Sequence, residues 1–225
     1  MKFSRFIKYY AYLLDIRNLL KLESNDILIA EFPKSGVTYY SFLISNYLNH
    51  YFKKQIKINF FNINDFVHDI HRTNNLPNKT FFDNQFPRLV KSHTFPKFLR
   101  ISKSIIIIRN PFDTFLSYFK HLQSRSSFNS SFKSLVKNKH IGINSWINFY
   151  SSILQDKNPL GRAIISHESN VLYPKNSIET FCNLNGINFC NEAASFAINN
   201  SSRAEMIALE SKTSLIGYKK PEINF

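Results

Sequence analysis

Cysteine is nearly absent from this chain: two residues, Cys182 and Cys190, among 225. Two thiols cannot staple a secreted scaffold, and no Cys-x-x-Cys pair or Cys/His cluster offers a metal site. Long hydrophobic runs are missing too. The longest, Ile27 to Ala30 and Ile105 to Ile108, are strand-sized, far short of the ~20 residues a membrane-spanning helix needs. Acidic residues are scarce, 15 against 29 Lys and Arg, for a formal net charge of +14. Partners are therefore expected to be anionic: a nucleotide, a sulfated or phosphorylated ligand, nucleic acid or a membrane face. There is no internal repeat and no Pro/Gly linker, so residues 1–225 are read as a single domain. The opening residues look signal-like, but Asp15 and Arg17 interrupt them and no small-residue cleavage site follows. Residues 1–24 are read instead as a basic amphipathic helix on a soluble, cytoplasmic domain, with reversible membrane contact as the second possibility.

What is present is core material. Hydrophobic residues make up 44% and aromatics 16%, too much for a disordered tail. Asp26 to Phe32 is a short apolar run stopped by Pro33, hence a buried strand. Helical spacing follows from Thr38 to Tyr51. Arg88 to Lys91 is a second, shorter strand, and Ser104 to Arg109 contains four consecutive isoleucines whose β-branching favours a central strand. A helix is expected from Asp113 to about Gln123, another from Ser145 to Leu154, then a strand over Arg162 to Ser166. A last helix has Pro174 early and is closed by Asn185 and Gly186. This alternation describes an α/β fold with a mostly parallel central sheet flanked by helices.

Three of these strands end in cationic residues, at the sheet edge where open α/β folds bind ligands. The first end is Glu31-Phe32-Pro33-Lys34-Ser35-Gly36-Val37-Thr38-Tyr39-Tyr40. A tight loop entering a helix points its amides at one place, a geometry suited to phosphate or sulfate. It is not a Walker A loop, because Gly36 is followed by Val37 and not Lys. The second end is Arg88-Leu89-Val90-Lys91-Ser92-His93, where Lys91 and His93 project alike and neighbouring cations favour a neutral imidazole. The third is Arg109, with Asp113 and Ser117 following on the next helix. Read alone, each allows a plainer account: an ordinary strand-to-helix turn, a surface histidine, a structural Arg109–Asp113 pair.

Taken together, these segments resemble the PAPS-dependent sulfotransferases. PKSGVTYY is similar to that family's PKSGTTW loop, RLVKSHTFP to its R-x-x-K-T-H-x-P segment, and RNPFDTFLSYFKH to its RNPxDxxxSxxxH segment. Weaker likenesses lie at Gly142 to Trp146 and at HES with Pro174 and Asn185-Gly186. The resemblance covers about Ile27 to Gly186 and implies a P-loop-like three-layer fold. It implies transfer of a sulfuryl group from PAPS (3′-phosphoadenosine 5′-phosphosulfate) to a hydroxyl or amine, leaving PAP and using no metal. By the same resemblance His93 is the general base, Lys34 stabilises the leaving oxygen and Lys91 supports the transferring group. Lys34, Ser35, Gly36, Val37 and Thr38 hold the 5′-phosphate, Tyr39 stacks on adenine, and Arg109 and Ser117 bind the 3′-phosphate. Such a reaction has a loose in-line transition state, so positioning and charge stabilisation are what the protein must supply.

The chain departs from the pattern in several places. Val37 replaces a hydroxyl-bearing Thr, His167 stands where a Tyr contacts the adenine edge, and the family's C-terminal Arg-Lys-Gly clamp has no counterpart in residues 218–225. Either Lys219 and Lys220 substitute, or the clamp is lost, or the chain is short at that end; each option predicts weaker donor affinity. Two other functions compete. One is an ATP-dependent P-loop phosphotransferase, which lacks its Gly-Lys-Ser/Thr and its magnesium-binding Asp. The other is a non-catalytic basic protein binding nucleotides or other anions; its cations would interleave with aromatics on one face, whereas here they sit at strand ends, so no nucleic-acid partner is expected. The acceptor, a small molecule or a glycan, would be chosen by the loops Asn59 to Phe86 and Ser124 to His140.

Overall fold

The computed structural model describes residues 16–71, 76–77, 82, 86–95, 101–124, 128–155 and 161–215. Most of the expected N-terminal helix, together with Pro96, Lys219 and Lys220, lies outside the described residues; positions 16–20 are helical. Five strands are described: β1 (Ile27–Glu31), β2 (Val67–Asp69), β3 (Leu89–Ser92), β4 (Lys103–Ile108) and β5 (Arg162–Ser166). They form one sheet in the order β2-β3-β1-β4-β5, and every pairing is parallel. Parallel neighbours need crossovers; the helices described in them are α1 (Val37–Tyr51) after β1, α2 (Ile63–Phe66) before β2, and α3 (Pro111–Ser124), α4 (Phe132–Val136) and α5 (Ile143–Leu154) between β4 and β5. After β5 come α6 (His167–Leu172), α7 (Pro174–Asn185), α8 (Asn191–Asn200) and α9 (Arg203–Leu215).

Alternation along the central strands divides the core into two layers, because successive side chains face opposite sides of a sheet. Ile27, Ile29, Ile105 and Ile107 pack with Phe42, Leu43, Ile44 and Tyr47 of α1 and with Ile178, Phe181 and the alanines of α8. Leu28, Ala30 and Ile106 pack on the other side against Phe115 of α3, Leu135 of α4, and Tyr150 and Ile153 of α5. All five residues of β1 are buried, as a strand covered on both faces requires.

Two sequence expectations need correction. The segment Asn59 to Phe86 is not simply an acceptor loop, since it carries α2 and β2, the edge strand beside β3. The segment Ser124 to His140 is likewise not all loop, since it carries α4, whose start is capped by the Ser131 hydroxyl accepting from the Ser134 amide. Among the described residues no helix is long and apolar enough to cross a membrane.

Candidate active site

β1 lies at the centre of the sheet, so the residues beyond its carboxyl end share one edge with those beyond β3 and β4. The β1 loop is held from beneath. The buried Tyr150 hydroxyl lies 2.8 Å from the Ile107 carbonyl oxygen, 3.1 Å from Ser35 Oγ and 3.3 Å from the Phe32 amide, which donates to it. Ser35 is fully buried, and its amide donates to the Phe32 carbonyl. This serine shapes the loop from inside and does not line its mouth. Lys34 has φ 73, a left-handed conformation that costs an L-residue about 1–2 kcal/mol. Strain of this kind gathers where a structure needs a particular backbone direction.

Gly36 caps α1 at φ 111. Glycine is required there twice over, because a Cβ would also lie 2.2 Å from His167 Nδ1. His167, the first residue after β5, thus packs directly on the loop. Its imidazole is pushed toward neutrality, first by burial and then by the Arg109 charge. Its Nδ1 is buried with no hydrogen-bond partner among the described residues.

Arg109, just past β4, donates from Nη1 to the Lys34 carbonyl at 3.3 Å. It turns to the β1 loop and not to Asp113, which sits in the first turn of α3. The Arg109 Nε is buried and likewise lacks a hydrogen-bond partner among the described residues. Asn110 starts α3, its side chain accepting from the Phe112 amide at 2.9 Å, while its own amide donates to Glu168 of α6 at 2.9 Å. Ser117 is half-buried on α3, and Thr38 and Tyr39 are half-buried in the first turn of α1; Tyr39 packs against the core.

On the other side of β1, His93 follows β3, with Nδ1 3.4 Å from the Glu31 carbonyl oxygen and 3.8 Å from Glu31 Oε1. Burial comes first in holding the His93 imidazole well below its usual range, and His71 and Lys91 add to the effect. Neighbouring cations are therefore a secondary cause of its neutrality. Lys91, two residues before His93, pairs its ammonium with Asp69 of β2 at 3.4 Å, and the charges of both act on the His93 imidazole.

Three residues here were given no role by the sequence reading: Glu31, Asp69 and His71. The His71 ring stacks on His93 with centroids 5.1 Å apart, and its Nε2 accepts the His93 amide at 2.9 Å. A repeated spacing could have revealed the pair. Asp69 and His71 stand two apart at the end of β2 as Lys91 and His93 do at the end of β3, and the register places Asp69 opposite Lys91. Glu31 was hidden as the polar end of an apolar strand. It is 3% exposed, and its carboxylate accepts the Val37 amide at 2.7 Å. Burial raises its pKa to about 7, against the opposing pull of the Val37 amide, Lys34 and Lys91.

A family model described as a sulfotransferase domain matches residues 24–218. The chain belongs to the sulfotransferase family. None of the curated proteins matches it, but solved structures share its fold. Mouse sulfotransferase SULT7A1 complexed with PAP aligns at TM-score 0.56 and 17% identity, over 82% of this chain and 66% of that one. Retinol dehydratase in a complex with retinol and PAP aligns at TM-score 0.64 and 14% identity, over 84% and 67%. A candidate steroid sulphotransferase from Arabidopsis thaliana aligns at TM-score 0.61 and 16% identity, over 95% and 85%. This chain thus spans about two thirds of the length of the first two relatives. The sulfotransferase's loop, histidine strand and arginine strand therefore lie on the edge that its parallel topology builds.

Proposed function

We propose that this sulfotransferase moves a sulfuryl group from PAPS to the hydroxyl or amine of a small molecule. The observation that carries the reading is convergence. Arg109 reaches the Lys34 carbonyl and His93 reaches the Glu31 carbonyl, so residues from three strands border one cationic edge. That edge fits a doubly phosphorylated nucleotide. Two buried polar atoms, Arg109 Nε and His167 Nδ1, lie there with no hydrogen-bond partner among the described residues, and the missing Cβ of Gly36 lets the His167 ring pack against the loop.

The donor supplies a sulfuryl group on a phosphate leaving group: a bond forms from sulfur to the acceptor's oxygen or nitrogen, the bridging S–O bond breaks with its electron pair on the phosphate, and the acceptor gives up a proton. His93, held neutral by burial, receives that proton. Lys34 stands at the loop to stabilise charge on the departing oxygen. Lys91 contributes positive charge from its pairing with Asp69. The loop from Lys34 to Thr38 holds the 5′ end, with Ser35 and Tyr150 fixing its shape and the Val37 amide already engaged by Glu31. Arg109, Ser117 and Tyr39 are assigned the 3′-phosphate and the adenine, and His167 takes the position beside Gly36 at the adenine edge. Two free cysteines, Cys182 and Cys190, suit a reducing, cytoplasmic setting.

Calorimetric titration with 3′,5′-ADP, 5′-AMP and ATP-Mg tests the reading. Tightest binding is expected for 3′,5′-ADP. Arg109→Ala should weaken that ligand at least tenfold more than 5′-AMP, since a charge-assisted bond to phosphate is worth about 1.5–3 kcal/mol. Equal losses would remove the 3′-phosphate assignment, and a preference for ATP-Mg would favour a phosphotransferase.

A further inference from the structure

We infer that Glu31 is a positioning residue for His93: its main-chain oxygen and its carboxylate together fix the Nδ1–H tautomer and hold the imidazolium formed when His93 takes a proton. The inference rests on His93 being the base, and it concerns the side of the ring away from the acceptor.

The geometry allows one tautomer. Both Glu31 groups near His93 Nδ1, the carbonyl oxygen at 3.4 Å and Oε1 at 3.8 Å, are acceptors when the carboxyl is ionised. A nitrogen facing two acceptors carries the hydrogen, which leaves the lone pair on Nε2. His93 is anchored from the opposite direction as well, because its own amide donates to His71 Nε2 and the two rings stack. The ring is therefore held at its backbone, its face and its Nδ1, leaving Nε2 to receive a proton. A buried carboxylate facing the far nitrogen of a catalytic histidine selects the tautomer and stabilises the imidazolium without itself becoming protonated.

Glu31 is also fixed independently of His93. Its other oxygen, Oε2, accepts the Val37 amide at the start of α1, so the carboxylate cannot swing away when the ring moves. One side chain thereby ties the phosphate loop to the base, and the loop's position and the ring's orientation are set together. The charged and titratable groups around it are Lys34 of the same loop, Lys91 and His93 of the β3 segment, Asp69 and His71 of the β2 segment, and Tyr150 of α5. The raised pKa of Glu31, about 7, means the carboxylate form predominates only above neutral pH.

The decisive experiment reads the ring directly. Long-range ¹H–¹⁵N NMR of the histidine rings in the ligand-free protein at pH 8 should show His93 as the Nδ1–H tautomer; the Nε2–H tautomer would overturn the inference. Glu31→Gln keeps an oxygen for the Val37 amide but can present an amide donor to Nδ1. It should move His93 toward the Nε2–H form and lower kcat by roughly tenfold to a hundredfold, part of the 10²–10⁴ that positioned proton transfer supplies. KM should stay within about threefold, and Glu31→Asp should recover part of the rate. A Glu31→Gln enzyme with unchanged tautomer and full kcat would also overturn the inference. Should that variant fail to fold, the wild-type tautomer still decides. Failure of the sulfotransferase reading would appear separately, as absence of 3′,5′-ADP binding, and leaves the tautomer measurement intact.

Discussion

Replacing Gly36 with alanine perturbs the edge at its tightest point, and the structure separates two consequences. The backbone there has φ 111, so any L side chain is strained by about 1–2 kcal/mol. The new Cβ would also stand 2.2 Å from His167 Nδ1, 2.9 Å from its Cγ and 3.0 Å from its Cε1. Relieving that overlap means moving either the imidazole or the loop, and overpacking of this kind costs about 1–3 kcal/mol. The single variant should therefore lose about 2–5 kcal/mol in urea unfolding. All three close atoms belong to one ring. In a His167→Ala background the overlap disappears and only the backbone strain remains, so Gly36→Ala should then cost about 1–2 kcal/mol. The coupling energy between the two positions is expected at about 1–3 kcal/mol, well outside the additivity of independent sites. Purely additive losses would show that the ring and the loop do not pack as described. They would also undercut His167 as a neighbour of the bound nucleotide.

Two further perturbations follow from buried charge. Glu31 titrates near pH 7 because burial raises it, and it supports His93 only when ionised, so kcat/KM should fall as pH drops below about 7; in Glu31→Gln this acid limb should vanish, and a wild-type profile flat from pH 6 to 8 would contradict the assignment. Arg88 is bound bidentately by Asp26, at 2.9 and 2.5 Å, with side chains 3% and 4% exposed; Arg88→Met strands the carboxylate and should cost about 3–5 kcal/mol, whereas adding Asp26→Leu should restore much of it.

Legibility followed burial. β1 and β4 were readable because strands covered on both faces must be continuously apolar, and Ile27 to Ala30 and Ile105 to Ile108 are. The helix after β4 was readable from its one-sided spacing, although Pro111 begins it and Asn110 supplies the starting turn. β2 was not. It is three residues long and includes buried His68 and Asp69, so no apolar run or alternation marks it. α8 escaped as well, since its buried face is made of Ala193, Ala194 and Ala197 among polar residues. In the site, the cationic strand ends were legible because they follow readable strands. Their partners were not. Asp69 and His71 share the two-residue spacing of Lys91 and His93, but it is the pairing of β2 with β3, a tertiary fact, that brings the two pairs together.

Glu31 presents the sharper physical problem. A cationic edge suited to anions is a poor place for a carboxyl group, and burial alone would keep that group neutral. The Val37 amide and the charges of Lys34 and Lys91 pull the other way, and the balance leaves its pKa at about 7, far above the ordinary value of 4.5. A hydroxyl at this position could accept the same amide hydrogen bond with no ion to bury, so capping the loop does not by itself require an acid. What a hydroxyl cannot do is face His93 Nδ1 with negative charge while the ring gains a proton. Much of the ring's pKa depression comes from burial and from its cationic surroundings, and a base depressed that far is a weak proton acceptor. A carboxylate behind it offsets part of that weakness at the moment the proton arrives. The acid is thus explained by the histidine's own environment: the lower the surroundings hold the His93 pKa, the more the proton-accepting role proposed for it depends on Glu31.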